Sequence, residues 1–262
     1  IGADELAAVT QLFTEDYMVL FLLHNTLGAW WTAKKKITGQ SEFLSGCEFT
    51  YLRKAEDGMP AAGSFDDWPR AAKDLRFLDP SMGCGHFLVF ALPMLVAMRK
   101  EEEGLATAEA CDAVLNENLY GLELDTRCTQ IGAFNLALAA WKLSGYRPLP
   151  PLNISCCGLG IHAREDEWLK LTNGYKTLAE GMKTLYGLFS QAPVLGSLID
   201  PRQVQNDLLS ATFEELEPLL EKVLAKEKKR QDENVAEMGV TAQGLVHAAE
   251  ILTGSFHLIA TN

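Results

Sequence analysis

The chain has 262 residues, 48% of them hydrophobic, and carries a formal net charge of −12 at pH 7. That length suits one large α/β domain or two small ones, and that apolar fraction is enough for a packed core. The acidic balance argues against a strongly basic nucleic-acid surface within these residues, and the longest apolar run, 87–98, falls well short of the ~20 residues that span a bilayer. No leader pattern of charge, apolar stretch and small residues opens the chain, so a soluble, cytoplasmic protein without membrane contact is expected. A first residue of Ile1 and a last residue of Asn262 make the chain read as cut at both ends.

In chain order, residues 1–36 are expected to be helical. Thr14 is placed to cap a helix whose first turn holds Glu15 and Asp16, at the positive end of its dipole. Leu20, Leu23, Leu27 and Trp31 follow at spacings of three and four, and Lys34, Lys35 and Lys36 close the pattern. Trp30 and Trp31 read as core or domain interface. Residues 37–73, with Gly58, Pro60, Gly63 and Pro69, read as a connector with short elements.

An alternation of strands and helices comes next. Leu75 to Leu78 is a short apolar strand. Residues 86–103 form a helix that Pro93 should kink or break. Leu119 to Leu124 is a second strand, and 126–144 a helix with an apolar stripe of Ile131, Phe134, Leu138 and Trp141. Leu152 to Leu159 is a third strand. Strands interleaved with helices predict a parallel, doubly wound sheet.

Residues 161–255 interrupt this rhythm and read as a mainly helical insertion. Leu209, Phe213, Leu216, Leu220 and Val223 step by four and three, which suits a helical hairpin or a coiled-coil seam. The charge run from Lys226 to Arg230 reads as a solvated helix end. Phe256 to Ala260 resumes the sheet as a fourth strand. The chain thus divides into a helical N-terminal segment (1–73), an α/β core (74–160), an insertion (161–255) and a last core strand (256–262). The six cysteines, at 47, 84, 111, 128, 156 and 157, have irregular spacing and no C-x-x-C pair, so reduced thiols are expected and no metal site. The five histidines show no ligand spacing; His86 reads as a helix-start residue.

The stretch FLDPSMGCGHF carries the most chemistry. A strand ends at Leu78, an acid follows at Asp79, and a turn with Gly83 and Gly85 opens a helix. Glycine permits positive φ and a close backbone approach, so a ligand can sit at the helix start. A dinucleotide enzyme would want a third glycine where Leu88 stands. A carboxylate at Asp79 would also repel a pyrophosphate. It would accept hydrogen bonds from an ammonium group, such as the amino end of a methionine moiety, and this points to S-adenosylmethionine (SAM). The second strand ends in LYGLELD. An acid there can grip the two ribose hydroxyls of an adenosyl group; Glu123 is the first choice and Asp125 the second. Leu124 is placed to touch the adenine.

These segments together resemble the amino-group DNA methyltransferases that form N6-methyladenine. Their first motif, Asp-Pro-x-x-Gly-x-Gly-x-Phe, is matched by Asp79, Pro80, Gly83, Gly85 and Phe87, and the acid of their second motif by Glu123. An N-terminal motif of Phe-Thr plus a helix is matched by Phe13 and Thr14, which the resemblance implies close the cofactor pocket. The family's catalytic Asn-Pro-Pro-Tyr follows the fourth strand, where Asn262 occupies the Asn position. Across FTEDYMVLFLLHNTLGAWW and LNISCCGLGI the chain looks more narrowly like the large methyltransferases of BREX phage-defence systems, which are similar to fused restriction–modification enzymes. One departure is that the third strand ends in SCCGLG, without the acid often found there.

The resemblance implies a Rossmann-like class I SAM-dependent methyltransferase fold. It implies SAM as cofactor, double-stranded DNA and other defence-system proteins as partners, and methyl transfer to a base flipped out of the duplex. Without the Pro-Pro-Tyr portion, the chain by itself is expected to bind SAM and not to catalyse. The rival expectations are a methyltransferase acting on RNA or on a protein glutamine, and a non-catalytic SAM-binding or scaffold module.

Overall fold

The structure is a computed structural model that describes residues 14–63, 65–161, 164–172, 176–203 and 233–261. Four short strands form one sheet in the order β3-β2-β1-β4, every neighbouring pair parallel: β1 is Phe77–Asp79, β2 Leu119–Glu123, β3 Asn153–Cys156 and β4 Leu258–Ile259. Parallel neighbours need crossovers, and helices supply them. From β1 the chain steps to β2 and β3 on one side and to β4 on the other. The carboxyl ends of β1 and β4 therefore border the switch point where open α/β sheets bind ligands. This is the parallel α/β architecture the alternation predicts.

Alternate residues feed two cores. Phe77 and Leu119 join a cluster built on one sheet face, and Leu78 and Leu122 join a second cluster on the other. The first face is covered by α3 (His86–Glu103), α4 (Thr107–Glu117) and α5 (Thr126–Ser144). Outside them lies a continuous helical rod: α1 (Asp16–Leu23), a π-helical turn (His24–Gly28) and α2 (Ala29–Ile37). α1 packs against α3. Trp30 and Trp31 are buried in the first core, as their apolar bulk suggests. The second face is covered by α9 (Glu233–Thr253) with α6 (Glu165–Trp168) and α7 (Lys176–Phe189). Ser155 donates a hydrogen bond from its hydroxyl to the Gly244 carbonyl at 2.9 Å, pinning α9 to β3. A short helix α8 (Ala192–Leu195) and a 3₁₀ turn (Gly196–Leu198) follow α7, and the turn lies near β2.

Several expected boundaries are corrected. β1 begins two residues late, because Ala72–Asp74 is a 3₁₀ turn and the Leu75 carbonyl accepts from the buried Asn118 side chain at 2.5 Å rather than from a strand. β3 stops at Cys156, not Leu159, because the backbone at Gly158 crosses directly over Leu124; a Cβ there would fall 2.1 Å from the Leu124 carbonyl oxygen. β4 is shorter than 256–260, though Ala260 still donates to Leu78 at 3.1 Å. Helix α1 starts at Asp16 with Glu15 as its N-cap and no side-chain cap, so Thr14 is not the capping residue. Pro93 lies inside α3 without ending it; it sits on the exposed side, where water can serve the carbonyl left without a donor.

The expected stripe of α5 is not its buried face. Ile131 and Phe134 are exposed, and the buried positions are Cys128, Gly132, Leu136 and Ala140. Helix α4 is an addition that the sequence reading did not contain. The calls on Leu209 to Val223 and on Lys226 to Arg230 fall outside the described residues. Among the described residues no helix is long and apolar enough to cross a membrane, and no group of three or more His, Cys, Asp or Glu could hold a metal ion. All six cysteines are free thiols.

Candidate functional site

The Gly-x-Gly turn joins the end of β1 to α3. Gly83 (φ 52°) and Gly85 (φ 81°) both have the left-handed backbone that side chains resist. The turn is tied down at three points. Met82 donates to the Leu122 carbonyl at 3.0 Å, Gly85 to Met82 at 2.7 Å, and Val89 to Gly85 at 2.9 Å as the helix begins. Gly85 is the N-cap of α3 and has no side chain to accept from the helix. The amides of Phe87 and Leu88 are therefore among those an N-terminus leaves for an outside acceptor.

Two residues that the sequence reading missed hold this turn from behind. Gly132 of α5 lies against it, so that a Cβ on Gly85 would sit 3.4 Å from the Gly132 Cα. Asn135, one turn further on the same helix, donates to the Cys84 carbonyl at 3.0 Å. The signal was a glycine inside an otherwise regular helix, with an amide three residues on. The Phe87 side chain packs into the first core, 2% exposed, so it supports the turn from beneath rather than lining its front. Pro80 is half-buried beside Asp79.

Glu123 closes the front of the turn from β2. One carboxylate oxygen accepts the Gly83 N–H at 2.7 Å; the other accepts the N–H groups of Leu124 and Asp125 at 2.8 and 3.1 Å. A carboxylate has about four acceptor sites, so about one remains. A single hydroxyl can bond there directly, and a second must displace a backbone donor. The SCCGLG segment supports the same loop, since the thiols of Cys156 and Cys157 lie 3.3 and 3.4 Å from the carbonyls of Leu124 and Glu123. Burial pushes the Cys157 thiol up to about 12, which keeps it an inert neutral group.

Asp125 does not share the pocket. Its carboxylate caps α5, accepting from the Arg127 and Cys128 amides at 2.8 and 3.1 Å, and pairs with the Arg127 guanidinium at 3.0 Å. The Arg127 side chain first, and then those amides, hold its carboxyl down at about 2. Of the two acids of LELD, Asp125 is thus engaged by α5, whereas the one facing the glycine turn is Glu123. Leu124 follows it, 46% exposed, and abuts Gly196 of the inserted segment: a Cβ on that glycine would fall 2.8 Å from the Leu124 Cδ1.

Asp79 is the deepest polar group of the site, 1% exposed at the end of β1. It accepts from the Ser81 amide at 3.2 Å. Burial, countered in part by that bond and reinforced by the Glu123 charge, raises its carboxyl to about 7. Thr14 is half-buried just ahead of α1; Phe13 and Asn262 lie outside the described residues. The arrangement thus offers a buried acid that can receive a cation, a second acid that can take a hydroxyl, and a glycine turn that admits close approach, all at the carboxyl edge of the sheet.

The chain is similar to proteins named as methyltransferases. It is 28% identical over 247 residues to the adenine-specific methyltransferase BrxX of Escherichia coli O9:H4 (strain HS), covering 82% of this chain and 20% of that protein. It is 29% identical over 142 residues to the adenine-specific methyltransferase PglX of Lacticaseibacillus casei (strain Zhang), covering 52% of this chain and 12% of that protein. It is also 38% identical over 71 residues to a putative type II restriction enzyme and methyltransferase of Methanocaldococcus jannaschii, 25% of this chain and 6% of that one. The chain therefore spans a fifth or less of the length of these relatives. No protein-family profile matches it.

Proposed function

We propose that this chain is the SAM-binding part of an enzyme that methylates the N6 amino group of adenine in DNA, within a restriction–modification or phage-defence system. The observation that carries the reading is the placement of Asp79 and Glu123, both buried, at the carboxyl ends of adjacent parallel strands on either side of a turn with two positive-φ glycines. The likeness to proteins named adenine-specific methyltransferases supports it.

The residues fit SAM by their chemistry. Asp79 is a buried acceptor that forms no salt bridge among the described residues, which leaves it able to pair with an ammonium group. Glu123 retains acceptor capacity for a ribose hydroxyl. Leu124 offers an exposed apolar side chain next to Glu123 for the adenine, and Gly83 and Gly85 let the backbone approach the ligand. By the resemblance, Phe13 and Thr14 are the residues that would close the pocket. When bound, SAM supplies an electrophilic methyl group on a sulfonium. Asn262 accepts a hydrogen bond from the target amine, whose lone pair is otherwise delocalised into the ring. The remainder is positioning, with nucleophile, methyl and sulfur brought into line, and the target base taken out of the duplex to reach them.

The test is methyl transfer from SAM to unmodified double-stranded DNA by the chain continued past residue 262, as in its longer relatives, with N6-methyladenine read by mass spectrometry of the digested DNA. The expected product is N6-methyladenine, lost in Asn262→Ala. Methylation of RNA or of protein glutamine with DNA untouched would overturn the substrate assignment. SAM binding without any transfer would favour a scaffold role.

A further inference from the structure

Asp79 and Glu123 end neighbouring strands, with Asp79 in register with Gly121, two residues before Glu123. Both are buried, at 1% and 8% exposed, and no lysine, arginine or histidine forms a salt bridge with either among the described residues. Two like charges buried side by side repel, and the pair is stabilised when one of them keeps a proton. The hydrogen bonds decide which. Glu123 receives three backbone N–H groups, at 2.7, 2.8 and 3.1 Å, whereas Asp79 receives one, at 3.2 Å. Negative charge belongs where the donors are, so the proton belongs on Asp79.

We propose that Asp79 is protonated in the ligand-free protein and releases this proton to solvent when an ammonium group docks against it, so that SAM binding expels one proton per site. This rests on the reading of the site as a SAM site. The balance is simple. The O–H bond of the Asp79 carboxyl breaks, the proton goes to water, and the carboxylate left behind pairs with the intact ammonium. No electron is transferred.

The other titratable groups around Asp79 are compatible with this. Cys84 in the turn has its thiol pushed up by burial and by the charges near it, so it stays neutral. Asp125, at the start of α5, is engaged by Arg127. His86 opens α3. Burial and the Glu123 charge bring the Asp79 carboxyl to about 7, so most molecules carry the proton at pH 6. Affinity for SAM should then tighten by up to about tenfold per pH unit below neutrality and fall again once the ligand's own ammonium loses its proton. An ordinary α-amino group loses its own proton from about 7.7, so pH 6 is the place to measure.

The experiment is calorimetric titration of the chain with SAM at pH 6.0 in phosphate and in imidazole buffers, whose ionisation enthalpies differ. The dependence of the observed heat on buffer gives the protons exchanged. The expected result is release of close to one proton at pH 6, turning to net uptake by pH 8 as the ligand's amine is protonated on binding, with no release in Asp79→Asn at pH 6. Infrared spectra of the ligand-free protein supply a readout independent of binding: in the parent-minus-Asp79→Asn difference spectrum, a protonated-carboxyl band present at pH 6 should fade through neutrality. Saturable binding with the same heat in both buffers at pH 6 would overturn the proposal and leave the site reading standing, as would equal protonated-carboxyl intensity in parent and variant at pH 6. No saturable binding by the folded chain would overturn both.

Discussion

Gly132 sits in the middle of α5 with its bare Cα against the glycine turn, and replacing it with alanine sets two effects of known size against each other. Alanine is favoured over glycine inside a helix by about 1 kcal/mol. Against that, the added Cβ would lie 2.9 Å from the Met82 Cε, 3.3 Å from the Gly83 carbonyl oxygen and 3.5 Å from the Cys84 carbonyl carbon. Met82 cannot swing away freely, because it is 4% exposed and its sulfur fills the space above Gly121, where a Cβ would fall 2.6 Å from it. The turn must therefore shift by a few tenths of an ångström, and overpacking of this kind costs roughly 1–3 kcal/mol. Gly132→Ala should come out destabilised by about 0–2 kcal/mol in urea unfolding, with SAM affinity down by about tenfold because the displaced turn is the one meant to approach the ligand. Gly187→Ala is the control. That glycine lies in α7 with open space where its Cβ would go, so alanine there should stabilise by about 0.5–1 kcal/mol and leave binding unchanged. If Gly132→Ala matched the control, stabilised and with full affinity, the claim that α5 fixes the turn would be wrong.

Other consequences follow from the same geometry. A carboxyl raised from 3.8 in the unfolded chain to about 7 in the fold takes up a proton on folding between those values. Its burial is harmless below pH 4 and increasingly costly up to pH 7, by about 4 kcal/mol in all. Asp79→Asn removes that cost, so the variant should overtake the parent in stability as pH rises from 5 to 8 in urea titrations; parallel stabilities across that range would contradict the burial argument. Asn118 is fully buried and donates to the carbonyls of Ala72 and Leu75 at 2.8 and 2.5 Å, beneath β1. Asn118→Ala strands both acceptors and should cost about 2–4 kcal/mol by chemical denaturation. Arg99, 3% exposed, bonds Glu103 at 2.6 and 2.9 Å and Glu117 at 2.6 Å. Removing the guanidinium in Arg99→Ala should cost about 1–3 kcal/mol by chemical denaturation, since its charge-assisted bonds are lost while the Glu103 and Glu117 carboxylates stay within reach of water.

What could be read from the sequence was whatever depends on local chemistry. A short apolar strand, an acid and two spaced glycines can do little except turn into a helix, so the β1–α3 turn and both ends of α3 and α5 were legible. Asp125 and Gly145 mark the limits of α5 as a cap and a stop. What escaped was whatever depends on distance between elements. The buried face of α5 carries Cys128, Gly132 and Ala140 because the turn and the sheet come too close for larger residues, and a count of hydrophobicity ranks those below Ile131 and Phe134, which face out. α4 was missed for the same reason: two of its four buried positions are the small Ala110 and Cys111, and only Val114 and Leu115 have larger apolar side chains there. Within LELD the sequence ranked Glu123 ahead of Asp125, but that Asp125 caps a helix beginning at Thr126 emerged only with the fold.

The most direct measurement is calorimetric titration of this chain with SAM at pH 7, beside Glu123→Ala. The account predicts saturable one-to-one binding, weakened in the variant by about tenfold or more, the worth of a charge-assisted hydrogen bond of ~1.5–3 kcal/mol. A folded chain that does not bind SAM, or a variant that binds it as tightly as its parent, would contradict the placement of the cofactor at the ends of β1 and β2.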